Sequence, residues 1–280
     1  MKISRLLYWL LIMILVVLFL VSGSFVVRYA IDTLQQKSEY DQLAAMVEQA
    51  RNDAALQTEP TAAPVGETVD PNQPATPPEP TEPSVLPEYA PLYAKNSDMV
   101  GWMTIEGTSI NYPVMQTPDR VDYYLHRNFN GEHASHGCLY VRETCDVFAP
   151  SDNVTIYGHH MKDGSMFSSL KKFRTQSFWE EYHTVNFDTL YAHHTYTIFA
   201  VFTTTASVGE GFAYHRFENA EDEADFDDFI ATCKELSLYD TGITPQYGDK
   251  MICLSTCEYS QTNGRLVVVA VRDPAEPNWD

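Results

Sequence analysis

The first hydrophobic segment of the chain, Leu6–Val27, contains 22 residues without a charged side chain. A helix of that length crosses about 30 Å of hydrocarbon, so the segment predicts a membrane span. Lys2 and Arg5 precede it, whereas the residues that follow Arg28 are mostly acidic or neutral. The positive-inside rule therefore predicts a cytoplasmic tail at residues 1–5 and places the rest of the chain outside the cell. A cleaved signal peptide is the alternative, but the apolar run exceeds the roughly 7 to 15 residues of a typical signal-peptide core.

Two segments of different composition separate this span from the rest of the chain. Residues 28–57 are rich in helix formers, with a weak apolar stripe that includes Leu43 and Val47, and they predict a helical stalk. Residues 58–88 are acidic, and ten of the chain's 16 prolines lie in this segment or within three residues of its end. Because proline favours extended backbone, the segment predicts a semi-rigid linker, with a proline-rich ligand as the minor alternative. The folded domain is expected over residues 89–280.

Short runs of β-branched and aromatic residues alternate with turn residues through this domain. Such runs are typical of strands. Seven strands are predicted, at Trp102–Ile105, Asn111–Met115, Gly137–Val141, Asn153–Tyr157, Tyr196–Thr203, Lys250–Cys257 and Arg265–Arg272. This pattern indicates a mainly β fold, either a barrel or a sandwich. Short helical pieces are predicted at Met166–Phe173 and from Ser177.

A longer helix is predicted over Ala220–Ser237, with Asn219 as its N-cap. Apolar residues recur at three- and four-residue spacing and are expected to face the core: Phe226, Phe229, Ile230, Cys233 and Leu236. The acidic side chains that crowd the first half suit the positive end of the helix dipole. A calcium site is the alternative, but the segment lacks the central glycine and final glutamate of an EF-hand loop.

The composition narrows the possible partners. Among 280 residues, 38 are acidic and 18 are Lys or Arg, a formal net charge of −20, which argues against nucleic-acid binding. Five cysteines without a Cys-x-x-Cys pair are too few for a disulfide framework, and their odd number leaves a thiol unpaired. Cys233 and Cys253 fit apolar faces, whereas Cys138 and Cys145 flank a possible turn and are candidates for a disulfide.

Cys257 differs from the other cysteines. It ends a predicted strand, and seven polar residues with an Asn-Gly turn signal separate it from Arg265. If the flanking strands pair in antiparallel fashion, Cys257 and Arg265 lie opposite or nearly opposite each other, with Cβ atoms about 5 Å apart. A guanidinium in that position favours a thiolate, holds a carbonyl or stabilises an oxyanion. The alternative is that Arg265 is simply a charged residue at the end of a strand, exposed to solvent.

A cysteine nucleophile also needs a proton carrier, and nine histidines compete for this function. His159 has the best position, because it follows a predicted strand and the break at Gly158. His160 is expected to face the other way. The remaining histidines have no evident partner, and the absence of a His-Glu-x-x-His motif or paired cysteines argues against zinc.

Several motifs in this domain, taken together and in order, resemble the sortases, and among them class B. The most specific are Tyr157-Gly-His-His-Met161 with the segment that runs on to Leu170, and Leu254-Ser-Thr-Cys257 with Arg265 eight residues later. Further segments are similar to class B sequence: Asn96–Trp102, Ile110–Pro113, Asp122–Asn128 and Ser237–Gly242.

The resemblance implies an eight-stranded β-barrel with added helices, anchored by the N-terminal span on the outer face of a Gram-positive cell membrane. It implies His159 as the catalytic histidine, Cys257 as the nucleophile and Arg265 as the arginine of the triad. Ser255 and Thr256 fit the family pattern before the cysteine, and with the backbone N–H of Glu258 they are expected to bind substrate or stabilise the oxyanion. No metal or cofactor is expected.

The implied activity is that of a cysteine transpeptidase acting on surface proteins. The Cys257 thiolate attacks the carbonyl after the threonine of a C-terminal LPxTG- or NPxTG-like sorting signal, and a thioester forms. His159 protonates the departing amine and then takes a proton from the incoming amine of a lipid II-like peptidoglycan precursor. The alternatives are polymerisation of pilins through a lysine amine, hydrolysis by water, and a non-catalytic membrane-tethered binding module.

Overall fold

The computed structural model describes residues 5–57, 84–207, 209–259 and 262–274. It divides into two compact units, residues 1–42 and residues 43–280. The first unit is formed by helix α1, which spans Arg5–Gln57 and therefore continues into the second unit. Among the described residues one helix is long and apolar enough to cross a membrane, and its most apolar stretch is not buried at all. This agrees with the membrane span expected at residues 6–27.

The last part of α1 belongs to the second unit and contributes to its core. Leu43 and Val47 of the predicted stripe are 6% and 2% exposed. Arg51 Nε lies 3.8 Å from Oε1 of Glu88, so this end of the helix also faces the start of the folded domain. Most of the predicted linker, residues 58–83, lies outside the described residues, as do residues 1–4 of the predicted tail.

Within the described residues of the second unit, eight strands close into a barrel. The strands are β1 (Met99–Thr104), β2 (Asn111–Met115), β3 (Leu139–Val141), β4 (Asn153–Tyr157), β5 (Thr184–Thr189), β6 (Thr195–Thr205), β7 (Met251–Glu258) and β8 (Gly264–Arg272). Their order around the barrel is β1-β2-β3-β4-β7-β8-β6-β5. The pairs β2–β3 and β4–β7 are parallel, and the other pairs are antiparallel.

The eight-stranded barrel implied by the family resemblance is confirmed, and so are the seven strands read from the residue pattern. The pattern missed β5, Thr184–Thr189, in which Val185, Phe187 and Thr189 are buried and the residues between them are not. That alternation is typical of a half-buried strand and is the signal that identifies it.

Short helices fill the connections of the barrel. Helix α2 spans Ala90–Tyr93, a 3-10 helix spans Phe167–Arg174, and α3 spans Gln176–Glu181. The predicted helix at Met166–Phe173 therefore takes the tighter 3-10 form, and α3 begins before Ser177 rather than at it.

Helix α4 spans Glu223–Leu236 and covers the outer face of β6, β7 and β8. Phe226, Phe229, Ile230 and Cys233 are buried as predicted, but Leu236 is 40% exposed. The predicted cap was wrong: Asp222 caps the helix by accepting a hydrogen bond from the Asp225 N–H. Asn219 instead accepts from the backbone N–H of Asp152, which holds the segment before the helix against the start of β4.

The same packing fixes the direction of side chains on β7 and β8. Cys253 and Val269 are direct partners across the two strands, and both pack under α4. Because side chains alternate along a strand, Ser255, Cys257 and Arg265 share this outer face. All five cysteines of the chain are free thiols, so the candidate disulfide between Cys138 and Cys145 is not formed.

Candidate active site

A cavity of about 450 Å³ opens where the outer face of β7 and β8 passes the end of β4. Five of the residues singled out from the sequence lie along its wall: Ser255, Thr256, Cys257 and Arg265 from β7 and β8, and His159 from the segment after β4. The consecutive strands β7 and β8 and the distant segment after β4 therefore bring their polar and nucleophilic groups to one cavity.

The pairing of β7 with β8 places Cys257 directly opposite Arg265. The turn between them contains Asn263 in the left-handed conformation, with φ of 53°, which fits the predicted Asn-Gly signal. Cys257 is half-buried at the strand end. The Arg265 side chain donates through Nη1 to the carbonyl oxygens of Asn263, at 3.4 Å, and Gly264, at 3.0 Å. The guanidinium is thus held by its own turn, and it lines the same cavity as Cys257.

His159 reaches the same cavity because β4 runs parallel to β7, so both strands end at one rim of the barrel. Their last register pair joins Tyr157 to Ser255, and the next N–H, that of Gly158, donates to the Ser255 carbonyl at 3.1 Å. A Cβ atom on Gly158 would lie 2.5 Å from Leu139 and 2.6 Å from Phe167, so the chain passes here without room for a side chain. His159 follows immediately.

The imidazole of His159 is oriented by a backbone oxygen. Its Nε2 lies 2.7 Å from the carbonyl oxygen of Leu125. Because a carbonyl accepts and never donates, Nε2 carries a proton, and Nδ1 is the nitrogen that gains or loses one. Burial lowers the pKa of His159, the bond to Leu125 opposes this effect, and the like charges of His126 and His136 add to it. The neutral imidazole is therefore favoured at rest.

Two histidines without an evident partner in the sequence prove to be neighbours of His159. The ring of His126 stacks on that of His159, with centroids 5.3 Å apart and planes 27° apart. His136 is buried, and its Nε2 lies 2.9 Å from Oδ2 of Asp163. These partners are distant in sequence, so no local motif indicates them.

Ser255 and Thr256 differ in the side of β7 that they occupy. The Ser255 hydroxyl lies 2.6 Å from that of Tyr214, another cavity residue, in a buried pair. Thr256 alternates to the opposite face and is 2% exposed, and among the described atoms its Oγ1 has no hydrogen-bond partner. The side chain of Ser255 therefore borders the cavity, whereas Thr256 borders it chiefly through its backbone.

Glu258 is the last residue of β7 and does not line the cavity. Its carboxylate lies 3.0 Å from Nη1 of Arg174, so the side chain is turned to the 3-10 helix at Phe167–Arg174. The oxyanion function expected at this position concerns its backbone N–H alone.

Other residues that line the cavity are polar as well. The Tyr140 hydroxyl donates to Asp122 at 2.8 Å, and Arg142 Nε lies 3.1 Å from Oε1 of Glu218. Within the described ranges, no group of three or more His, Cys, Asp or Glu side chains is arranged to hold a metal ion.

Comparison with known proteins gives one consistent result. The family model of the Sortase domain matches residues 103–273. Sortase B of Listeria monocytogenes is 37% identical over 188 residues, which cover 66% of this chain and 73% of the relative. Sortase B of Staphylococcus aureus is 34% identical over 188 residues, covering 66% of this chain and 75% of the relative.

A solved structure described as a Staphylococcus aureus sortase B-substrate complex superposes with a TM-score of 0.70 at 27% identity, covering 88% of this chain and 100% of that one. The family match, the relatives and the shared barrel agree with the motifs around His159 and Cys257. The chain therefore belongs to the sortase family of transpeptidases, and within it to class B.

Proposed function

We propose that this protein is a membrane-anchored cysteine transpeptidase that joins surface proteins to the cell wall. Cys257 is the nucleophile, His159 the general acid and base, and Arg265 the donor that stabilises the oxyanion. The observation that carries the proposal is that these three side chains line one cavity of about 450 Å³.

The first half-reaction forms a thioester. The Cys257 sulfur attacks the carbonyl carbon that follows the threonine of a C-terminal sorting signal, and the negative charge that develops on oxygen faces Arg265. Neutral His159 takes the thiol proton of Cys257 as the sulfur attacks; when the C–N bond breaks, the imidazolium so formed supplies that proton to the departing amine. Burial lowers the pKa of His159, which makes this imidazolium a stronger acid for that transfer.

The second half-reaction exchanges the thioester for an amide. Neutral His159 takes a proton from the incoming amine, whose nitrogen attacks the thioester carbonyl, and the Cys257 thiolate leaves. The Ser255–Tyr214 pair and the backbone of Thr256 border the same cavity and are proposed to contact the bound signal. The Glu258 N–H is proposed as a second oxyanion donor.

The proposed partners follow from the chemistry and from the N-terminal helix. The acyl donor is a surface protein with a C-terminal sorting signal, in keeping with the substrate complex known for the Staphylococcus aureus relative. The acceptor is the amine of a lipid II-like peptidoglycan precursor. Residues 6–27 hold the enzyme at the membrane, where lipid-linked precursors arise, with its N-terminus in the cytoplasm and its catalytic domain outside the cell.

Intact mass spectrometry tests the proposal directly. The purified full chain in detergent is incubated with LPxTG-like and NPxTG-like peptides, with and without amine acceptors that mimic a wall cross-bridge or a pilin lysine. We expect a mass gain equal to the peptide up to threonine, and conversion to an amide product when an amine is added. Cys257→Ala should show neither.

The acceptor arms separate the alternatives. Equal or greater transfer to a pilin-type lysine peptide would favour pilin polymerisation, and release of free acid with every amine would favour hydrolysis. No adduct with any peptide, together with a partner affinity that survives alkylation of Cys257, would replace the proposal with a binding module.

A further inference from the structure

The strand ends that carry His159 and Cys257 are joined by a side-chain hydrogen bond. Nδ1 of His160 lies 3.0 Å from the backbone carbonyl oxygen of Cys257. Since the carbonyl oxygen is an acceptor, Nδ1 holds the proton and donates it. His160 does not line the cavity that His159 lines, and its side chain reaches the backbone of the adjacent strand.

This bond takes over where the backbone ladder of the two parallel strands ends. The Gly158 N–H donates to the Ser255 carbonyl, and two residues further along both segments His160 donates to the carbonyl of Cys257. The residue before His160 is also held in place, because the His159 carbonyl accepts a hydrogen bond from the Phe167 N–H at 3.0 Å. The end of β7 is thus tied to a segment that is itself held in place.

A second contact runs in the opposite direction. The Tyr259 hydroxyl donates to the backbone carbonyl of His160 at 3.3 Å. The two rings meet edge to face, with centroids 5.3 Å apart and planes 62° apart. Tyr259 is 74% exposed, so removal of its hydroxyl leaves the core intact.

The bonded carbonyl shares a peptide unit with the N–H of Glu258. In a planar trans peptide the C=O and N–H groups point in opposite directions. Because the Cys257 carbonyl is turned towards His160, the Glu258 N–H is directed towards β8, the strand that carries Arg265. There Glu258 is in register with Gly264, so the same hydrogen bond fixes the plane of the peptide next to the nucleophile.

We propose that His160 and Tyr259 are positioning residues that lock the end of β7 to the segment carrying His159. They hold the Cys257 thiol in the orientation used for acyl transfer, without contacting the substrate. This inference rests on the proposed function and deepens it, because it gives the second histidine of the His-His pair a task separate from proton transfer.

The first test uses the purified full chain in detergent, with His160→Ala, His160→Asn and Tyr259→Phe. The control is His183→Ala, at an exposed histidine outside the cavity. We expect His160→Ala to lower kcat about tenfold, as for one lost hydrogen bond, with KM changed less than twofold. Asn carries an amide donor close to the position of Nδ1 and should restore kcat to within about threefold of the wild type. Tyr259→Phe should lower kcat about two- to threefold, and the control should leave it unchanged.

The second test does not depend on turnover. Hydrogen exchange of the peptide that spans residues 254–259 should be several-fold faster in His160→Ala and slow again in His160→Asn. If the wild type proves inactive with every peptide, the proposed function fails. The exchange data still test whether His160 locks the end of β7 to the segment carrying His159. A kcat within twofold of wild type and unchanged exchange in His160→Ala would overturn the inference. So would an Asn variant as impaired as the Ala variant, because that result would assign His160 to packing.

Discussion

Cys257 and Arg265 are direct partners across the antiparallel pair β7–β8, so a thiol and a guanidinium occupy the same face at the same level of the barrel wall. The two hydrogen bonds from Arg265 to its own turn both use Nη1. A guanidinium has five N–H donors, so this arrangement supports the side chain beside Cys257 and leaves its other donors to approach a substrate oxygen. The position of the arginine is therefore set by the turn before any substrate binds.

This relationship predicts the effect of replacing Arg265. Arg265→Ala should lower kcat for transpeptidation more than tenfold, because a donor used mainly in the transition state is lost. Arg265→Lys keeps the charge but not the planar fork, and it should recover only part of the activity. Steady-state kinetics and thermal unfolding measure the two effects separately. Near-normal turnover in Arg265→Ala, with an unchanged Tm, would remove Arg265 from the mechanism.

The stability of the barrel should depend on pH through His194. Arg272 Nη2 lies 2.8 Å from Nδ1 of His194, and because a guanidinium only donates, this Nδ1 is the unprotonated acceptor. Burial, and then the positive charge of Arg272, lower the pKa of His194 to about 4. In the unfolded chain the pKa is about 6.5. Between these values the unfolded state binds a proton that the folded state lacks, so the free energy of unfolding falls as pH drops from about 6.5 to 4.

His194→Gln should flatten this part of the pH dependence, because glutamine still offers Arg272 an acceptor but does not titrate. Urea unfolding measures this pH dependence between pH 4 and 7, a range that includes the folded and unfolded pKa values of His194. His183→Gln, at an exposed position, should keep the wild-type slope. Parallel curves for wild type and His194→Gln would refute the assignment.

The N-cap of α4 gives a prediction about stability alone. Asp222→Ala removes the side chain that accepts from the Asp225 N–H, and should lower the free energy of unfolding by about 1 kcal/mol. Asp227→Ala, at an exposed position inside the same helix, is the matched control and should change it by less than about 0.5 kcal/mol. Equal effects of the two substitutions would show that net charge, rather than the cap, determines the stability of this helix.

Gly158 offers a way to disturb the site through packing. Gly158→Ala forces a Cβ against Leu139 and Phe167, and should cost about 1–3 kcal/mol of stability and displace His159 from the cavity, lowering kcat. Adding Phe167→Leu makes room for the new methyl group. The double variant should therefore be more stable than the sum of the two single changes predicts, as a double-mutant cycle of unfolding free energies will show. Simple additivity would mean that the ring of Phe167 does not limit this position.

Local patterns in the sequence predict more of the barrel than of the site. Seven strands and the Cys257–Arg265 pairing follow from period-two runs and one Asn-Gly turn, because these signals lie within a few residues of the feature they determine. The helix cap does not follow in this way. Asn219 and Asp222 are both good capping types, and the choice between them depends on a tertiary contact of Asn219 with Asp152.

The neighbours of the candidate catalytic histidine, His159, could not be predicted from the sequence for a related reason. Leu125, His126 and His136 come close to His159 from a segment that precedes it by more than twenty residues. Hydrophobic period and residue type carry no information about which loops meet across a barrel rim. The family resemblance supplies the identity of the site residues, but the contacts that orient them come from the fold.

The place of β8 between β7 and β6 has a consequence for the newly made chain. Synthesis proceeds from the N-terminus, so the segments with His159 and Cys257 emerge before Gly264–Arg272 does. Until that last strand inserts, the barrel wall is open at this point and Arg265 is missing from the rim. A nascent chain thus carries its thiol without the completed cavity around it until the strand that closes the barrel has arrived.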